Sequence, residues 1–520
     1  MWYIWAITLG PFEVLYRCLR FAVNSFTGTV GGSVKMISAI RRWRNKPKPI
    51  HGDARYADDK TLRKLGHLDN SGFLMGVTQS GKRVFTNPER SSIIMAPPGT
   101  GKSQHFIAAL RAILERPDDR LPFLIIGDAD GELYRATSKL MQARGYNVLR
   151  VDAVEPDEWT KYDILSDIVP PKVTDPNNEN RWRYDRALEA LCKLLVPDEP
   201  HSKQPHFVEF ARLLLKCVIT VNIRYEGNNK PIGELVNELI SEEKRADLFK
   251  RSKKYGDEVV TAALGVMGKM GDKPEGLSMI STSLRKLDAW NDAAVKELTN
   301  YGTDMHGTYT RGWNFQKFFT QDTPMVLFVR TGIDKAGGDS SRVIYGNAIN
   351  TVAHIRNKTA QPLKRELEVF LDEAGLTGYC EPIEIAYGRQ RKAGVRVRMC
   401  FLSMKEFKKT YVNAGDMWNG SDVVVFGGGK DTELAKEISE LAGEYTIENK
   451  GRSQGDHGES KSLNEQARKL VKPDEIRGLA YQEELMLMDN IVAKGVKPWR
   501  KASKRWWQVW RKPASGIDYL

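Results

Sequence analysis

The stretch SSIIMAPPGTGKSQHFIAALRAIL, Ser91 to Leu114, decides the fold. A short apolar run, Ile93 to Met95, enters a glycine-interrupted turn and leaves it as a segment with helical apolar spacing from Lys102 to about Glu115. The turn APPGTGKS, Ala96 to Ser103, has the spacing of a phosphate-binding loop with alanine in the first position. Gly99 and Gly101 let backbone N–H groups wrap a phosphate without a side-chain clash. Lys102 reaches the terminal phosphates, and Ser103 can ligate Mg²⁺ at the start of a helix whose dipole favours anions. The expected cradle is Pro98, Gly99, Thr100, Gly101, Lys102, Ser103 and Gln104, and the expected cofactors are ATP and Mg²⁺. The loop alone does not say how the nucleotide is used.

Working outward, strand and helix signals alternate on the C-terminal side. A strand is expected at Phe123–Gly127, a helix from about Leu133 to Arg144 and a strand at Asn147–Val151, the rhythm of a parallel sheet with helices on its faces. Upstream, His51–Gly66 suits a short helix, and Gly72–Phe85 reads as a hairpin turning at Gln79-Ser80-Gly81. From about Pro170 to Asp304 the apolar spacing is helical throughout, as in RYDRALEALCKLLV and HFVEFARLLLKCVITVNIRY. Strand signals return in TPMVLFVRTG, RELEVFLDEAG, GVRVRMCFLS and SDVVVFGGG. Asn449–Gln466, polar and glycine-rich, reads as a mobile loop. The fold class is therefore α/β, a parallel-sheet nucleotide domain interrupted by an all-α domain. The expected layout is an apolar and basic segment over 1–50, nucleotide domain over 51–169 and 305–507, helical domain over 170–304 and a tail over 508–520.

A metal-holding carboxylate belongs at another strand end, and LEVFLDEAG supplies one. Asp372 is placed to bind the Mg²⁺ shell and Glu373 to activate water, an order that suits a hydrolase rather than a kinase-type transferase. Downstream, GRQRKAGVRVR carries four arginines, which read equally well as a basic surface segment or as the source of an arginine acting on a neighbouring subunit's phosphate.

Composition narrows the setting. At 520 residues the chain can bury its cores without disulfides. Cys18, Cys192, Cys217, Cys380 and Cys400 are scattered with no C-x-x-C pair, as in a protein of a reducing compartment without a zinc site. The net charge of +13 points to nucleic acid or an anionic membrane as a neighbour. Two segments, RRWRNKPKP (Arg41–Pro49) and KPWRKASKRWWQVWRKP (Lys497–Pro513), interleave cations with tryptophan and suit lipid headgroups or phosphates. The N-terminal MWYIWAITLGPFEVLYRCLRFAV meets Pro11, Glu13, Arg17 and Arg20 before the roughly 20 apolar residues of a spanning helix are complete. It reads as an interfacial anchor or partner-binding segment.

In order along the chain, HGDARYA, the phosphate loop, GDADGELY, FLDEAGLTG, RQRKAGVRV, FGGGKDTELAKEISELAG, KPDEIRGL and KPWRKASKRWW together resemble the coupling-protein ATPases of type IV secretion and bacterial conjugation. These are relatives of the hexameric DNA translocases. The likeness runs from His51 to about Trp507. It implies a RecA-like P-loop NTPase domain and a homo-hexamer at the cytoplasmic face of the bacterial inner membrane, attached peripherally or weakly inserted through its N-terminus. It further implies ATP-driven delivery of DNA, bound to a relaxase, or of secreted proteins to a type IV channel, with substrates selected by the helical domain. Arg391, before Lys392-Ala393-Gly394, matches the family's arginine that acts across the subunit interface. The chain departs from the pattern in having Ala374 after the Asp-Glu pair, Asp128-Ala129-Asp130-Gly131-Glu132 for the usual DPKGE, and Leu402 for a glutamine. Two other readings are a nucleotide-stabilised docking platform and a free DNA translocase of the chromosome-segregation type.

Overall fold

The alternation around Ile93 builds one sheet of 11 strands. The computed structural model describes residues 52–499 except 153, 156–160, 169–180, 199–204, 228–229, 271–273, 300–312, 331, 333–334, 389–390 and 456–457. The readings of the N-terminal anchor, of Arg41–Pro49, of Cys18 and of the 508–520 tail fall outside these residues. Helix α1 (Asp59–Lys64) precedes the hairpin β1 (Leu74–Thr78) and β2 (Arg83–Phe85). Then come β3 (Ser92–Met95), α2 (Lys102–Leu114), β4 (Phe123–Gly127), α3 (Glu132–Ala143) and β5 (Asn147–Asp152). Between β5 and β6 (Met325–Arg330) the described elements are helical: α4 (Arg181–Leu195), α5 (Pro205–Thr220), α6 (Ile232–Ile240), α7 (Glu242–Ser252), α8 (Glu258–Met270), α9 (Pro274–Leu284), α10 (Ala293–Thr299) and α11 (Phe315–Phe319). After β6 follow α12 (Lys335–Thr359), β7 (Leu367–Leu371), α13 (Ala374–Thr377), α14 (Glu381–Gly388), β8 (Val395–Phe401), α15 (Met404–Thr410), α16 (Ala414–Asn419), β9 (Asp422–Phe426) and α17 (Thr432–Leu441). The remaining elements are β10 (Glu444–Gly455), β11 (Gly458–Lys469), α18 (Pro473–Arg477), β12 (Glu483–Met488) and β13 (Ile491–Val496).

The strand order is β2-β1-β13-β12-β9-β3-β8-β7-β4-β6-β5. From β9 to β5 every pairing is parallel, whereas β12, β13, β1 and β2 extend the sheet antiparallel. The inner parallel strands β3, β4, β7, β8 and β9 are fully buried runs, as strands covered on both faces must be, while the edge strand β5 is buried only at its end. Side chains at alternate positions (Ile94, Leu124, Ile126, Phe370, Val424) pack with Phe106, Leu110 and Ile113 of α2 into one core. The helical segment is anchored to α12, where Arg342 Nε donates to the carbonyl of Leu194 (3.0 Å), and Trp290 Nε1 reaches the neighbouring Leu195 carbonyl (3.2 Å). Cys192, Cys217, Cys380 and Cys400 are buried free thiols.

The chain folds as two compact units, one holding 56–442 and 471–499, the other 52–55 and 443–470. In the second unit the expected mobile loop over 449–466 is instead a long antiparallel hairpin, paired from Glu444↔Lys469 to Gly455↔Gly458. Polarity misled the reading, because an isolated ladder satisfies its backbone whatever its side chains face. Tyr445, Thr446 and Ile447 supply strand propensity at the neck, and glycines stand on either side of the turn. Among the described residues no helix is long and apolar enough to cross a membrane.

Candidate functional site

The site forms at the C-terminal ends of the parallel strands. Strand β3, held between β8 and β9, delivers Met95 beside Phe401 and Val425 and then turns into the loop. Ala96 N bonds back to Phe401 O (3.0 Å), and Thr100 Oγ1 donates to Pro97 O (2.6 Å), closing the turn on itself. Gly101, in the left-handed region at φ 93, is the N-cap of α2 and gives the helix no side-chain cap. The first amides of α2 are therefore not capped by a side chain, the arrangement that accepts an anion.

Lys102 and Ser103 are met by the end of β7. Lys102 Nζ lies 3.2 Å from Glu373 Oε1, and Ser103 Oγ donates to Asp372 Oδ2 at 3.0 Å. Burial pushes the Asp372 carboxyl up to about 7; the Ser103 hydrogen bond and Lys102 oppose this, while Asp128 and Glu373 add to it. Its second oxygen, Oδ1, is buried with no hydrogen-bond partner. Next to it, β4 pairs with β7 at Gly127↔Leu371, which sets Asp128 beside Asp372. Asp128 is also raised, mainly by burial; its Oδ2 accepts from Tyr134 N (2.8 Å) and its Oδ1 is likewise unpartnered. A hydroxyl and an orphaned carboxylate oxygen are the hard donors that Mg²⁺ takes. Among the described residues no group of three or more His, Cys, Asp or Glu closes on a metal, so an Mg²⁺ held by Ser103 and Asp372 would need other ligands to complete its shell.

Of the expected residues, Gly99, Thr100, Gly101, Lys102, Ser103, Asp372 and Glu373 come together. Pro98 is at the exposed rim, and the Gln104 amide turns aside to Glu132 Oε1 (2.7 Å). Arg391 is not brought to this cluster. It begins the 3₁₀ turn Arg391–Ala393 before β8, whereas the loop lies at the other end of that strand, beyond Phe401. Leu402, at the site end of β8, is 37% exposed, and its backbone N–H donates to Glu406 Oε2 (2.8 Å).

Sequence reasoning missed Asp128, whose signal was its place at the end of an apolar run in GDADGELY. It also missed three residues that touch the loop from behind, Tyr481, Lys497 and Trp499. KPWRK was read as a lipid- or phosphate-facing segment, yet Lys497 is 2% exposed.

Comparison with known proteins places this geometry. A family model described as Type IV secretory system Conjugative DNA transfer matches residues 38–508. The chain is 30% identical over 374 residues to the type IV secretion system-coupling protein VirD4 of Bartonella quintana (strain Toulouse), covering 69% of this chain and 55% of that one. It is 23% identical over 523 residues to protein VirD4 of Agrobacterium fabrum (strain C58 / ATCC 33970), covering 94% and 70% respectively. The chain thus spans about half the length of the Bartonella relatives it matches. Among solved structures, the unbound bacterial conjugative coupling protein TrwBdeltaN70 aligns with a TM-score of 0.62 at 16% identity, over 89% of this chain and 96% of that one. TrwB in complex with ADP and Mg²⁺ aligns at 0.60 and 16%, over 90% and 98%. At that identity the likeness is one of fold, a P-loop NTPase-like α/β sheet.

Proposed function

Because this chain belongs to the type IV secretory system conjugative DNA-transfer family, we propose that it is a type IV secretion coupling protein that hydrolyses ATP to deliver DNA or protein substrates to the secretion channel. The observation that carries the reading is the pairing of Lys102 with Glu373 and of Ser103 with Asp372, which joins the phosphate loop to the end of β7. TrwB is known bound to ADP with Mg²⁺ and to an ATP analogue, which supports the same ligands here. When bound, Mg²⁺ supplies charge neutralisation at the β- and γ-phosphates. Ser103 and Asp372 are the residues to hold it. The amides of Gly99 to Ser103, with Pro98 and Gln104 at the rim, enclose the phosphates, and Lys102 exchanges Glu373 for the terminal phosphate. The Glu373 carboxylate, released and about one-third exposed, takes a proton from the attacking water.

Arg391, remote from its own site, acts on the site of a neighbouring subunit in a homo-hexameric ring. The helical segment over 170–304 selects substrates, a relaxase-bound DNA strand or secreted proteins, and the net charge of +13 favours a polyanionic partner. The ring sits at the cytoplasmic face of the inner membrane, attached through its N-terminal segment. Glu373→Gln lowers ATP turnover about a hundredfold or more while leaving nucleotide binding intact; unchanged turnover removes Glu373 from this role. Leu402, an exposed aliphatic side chain at the site end of β8, favours a second reading, a docking platform stabilised by nucleotide. If Lys102→Ala and Glu373→Gln both transfer substrate in cells at the wild-type rate, the platform stands and the motor falls.

A further inference from the structure

Against the phosphate loop, the residue that follows β13 places an ammonium group among aromatic rings. Lys497 Nζ lies 4.6 Å from the ring centroid of Phe426, 4.1 Å from Tyr481 and 5.8 Å from Trp499. It donates to the carbonyl of Thr100 at 2.8 Å. Tyr481 OH donates to the preceding carbonyl, Gly99 O, also at 2.8 Å. Trp499 closes the third side: a Cβ on Gly101 would stand 2.5 Å from its Cζ2. Three side chains delivered by the antiparallel extension of the sheet therefore grip three consecutive loop residues.

We propose that Lys497, with Tyr481, is a positioning residue for the phosphate loop, holding the Thr100 and Gly99 carbonyls outward so that the Gly101 amide faces the phosphate. The physical link is peptide planarity. In a trans peptide the carbonyl and the next residue's N–H point in opposite directions, so fixing Thr100 O on one side aims Gly101 N–H to the other. Gly101, at φ 93, has no side chain with which to hold that plane by itself. The chain keeps a costly group there for the purpose. Burial lowers Lys497 to about 8, and the acidic group that opposes this, Glu484, is itself fully buried and pushed well up by burial, against the pull of Lys497 and of the Val77 backbone. A cation desolvated at such expense beside a binding loop is a mark of a site rather than of a core.

The inference rests on the nucleotide-site reading above, and the test separates the two. Amide hydrogen exchange over 99–103 is measured without nucleotide, and MgATP binding is measured by calorimetry, for the full chain, Lys497→Gln, Lys497→Arg and Tyr481→Phe. Lys497→Gln is expected to keep the wild-type circular dichroism, speed exchange in the loop and weaken MgATP binding about tenfold, the worth of one charge-assisted hydrogen bond. Lys497→Arg is expected to restore at least half of the lost affinity, and Tyr481→Phe to weaken binding about threefold. Wild-type exchange in a folded Lys497→Gln overturns the proposal, as does equal loss in Lys497→Gln and Lys497→Arg. If Lys497→Gln does not fold, Tyr481→Phe decides, since its ring is half exposed and only a hydroxyl is removed. Absence of MgATP binding in the wild type overturns the nucleotide reading instead, and the exchange arm still decides the clamp.

Discussion

Gly101 has the least freedom of any residue in the phosphate loop. Its φ of 93 and the Trp499 ring 2.5 Å from the position of a Cβ penalise any L side chain twice, once by backbone strain and once by contact. Gly99, at φ 71, has open space where a Cβ would go, so there the strain stands alone. The two positions thus separate the two effects. Gly99→Ala is expected to cost about 1 kcal/mol in urea unfolding, the price of one left-handed alanine. Gly101→Ala adds the displacement of an aromatic side chain, for a total of about 2–4 kcal/mol, and loses MgATP binding by calorimetry. Equal losses at both positions would mean that Trp499 does not confine the loop.

Between elements, the far end of the loop helix is tied to the carboxylate strand by a buried ion cluster. Glu368, near the start of β7, accepts from Arg116 Nη1 just beyond α2 (2.9 Å) and from Arg398 Nε on β8 (3.1 Å), and Arg116 also reaches Gly72 O (2.6 Å). Burial alone would raise the Glu368 carboxyl, but Arg398 and Arg116 outweigh it and hold the group down at about 2. A folded value below the unfolded one means that the stabilisation is complete above about pH 5 and is lost as pH falls toward 2. Glu368→Gln leaves two buried guanidinium groups without their anion, and about 3 kcal/mol is expected to go at pH 7. Urea curves of the two proteins should converge as pH is lowered from about 5 to about 2; a constant gap would assign the loss to packing. This cluster also marks where sequence reading stops. Ile93–Met95, Phe123–Gly127 and Leu367–Leu371 declared themselves as strands because continuous apolar runs flanked by turn residues have few other uses. Lys102, Ser103, Asp372 and Glu373 declared themselves because phosphate and metal chemistry fixes residue type and spacing. Glu368 inside LEVFL, Asp128 beside Asp372 and Lys497 behind the loop acquire their meaning from strand order, which brings together segments far apart in the chain. The 444–469 hairpin was missed for the opposite reason, since its ladder is local but its side chains lack the apolar alternation that announces a strand.

For the whole molecule, the direction of β8 decides how an arginine at its start can serve catalysis. The loop sits past Phe401 and Arg391 lies before Val395, so the strand separates them by about 20 Å at roughly 3.3 Å per residue. That separation of the backbone at Arg391 from the loop exceeds the reach of an arginine, which supports the proposal that Arg391 acts on another subunit. In a head-to-tail ring the two faces of each subunit meet different neighbours, so a residue remote from its own site can reach a neighbour's site only if it lies on the facing surface. Mixing tests this directly. Arg391→Ala and Glu373→Gln are each expected to be inactive alone, one lacking the arginine at every interface and the other the base. In an equal mixture assembled at random, an interface is complete when an Arg391→Ala subunit contributes the Glu373 side and a Glu373→Gln subunit contributes the arginine side. That combination occurs at about one interface in four. Steady-state hydrolysis in the mixture should therefore rise to about one quarter of the wild-type rate per site if sites fire independently, and lower if they are coupled. Activity that stays at the level of the separate variants at every mixing ratio would remove Arg391 from the shared site and leave it as part of a basic surface.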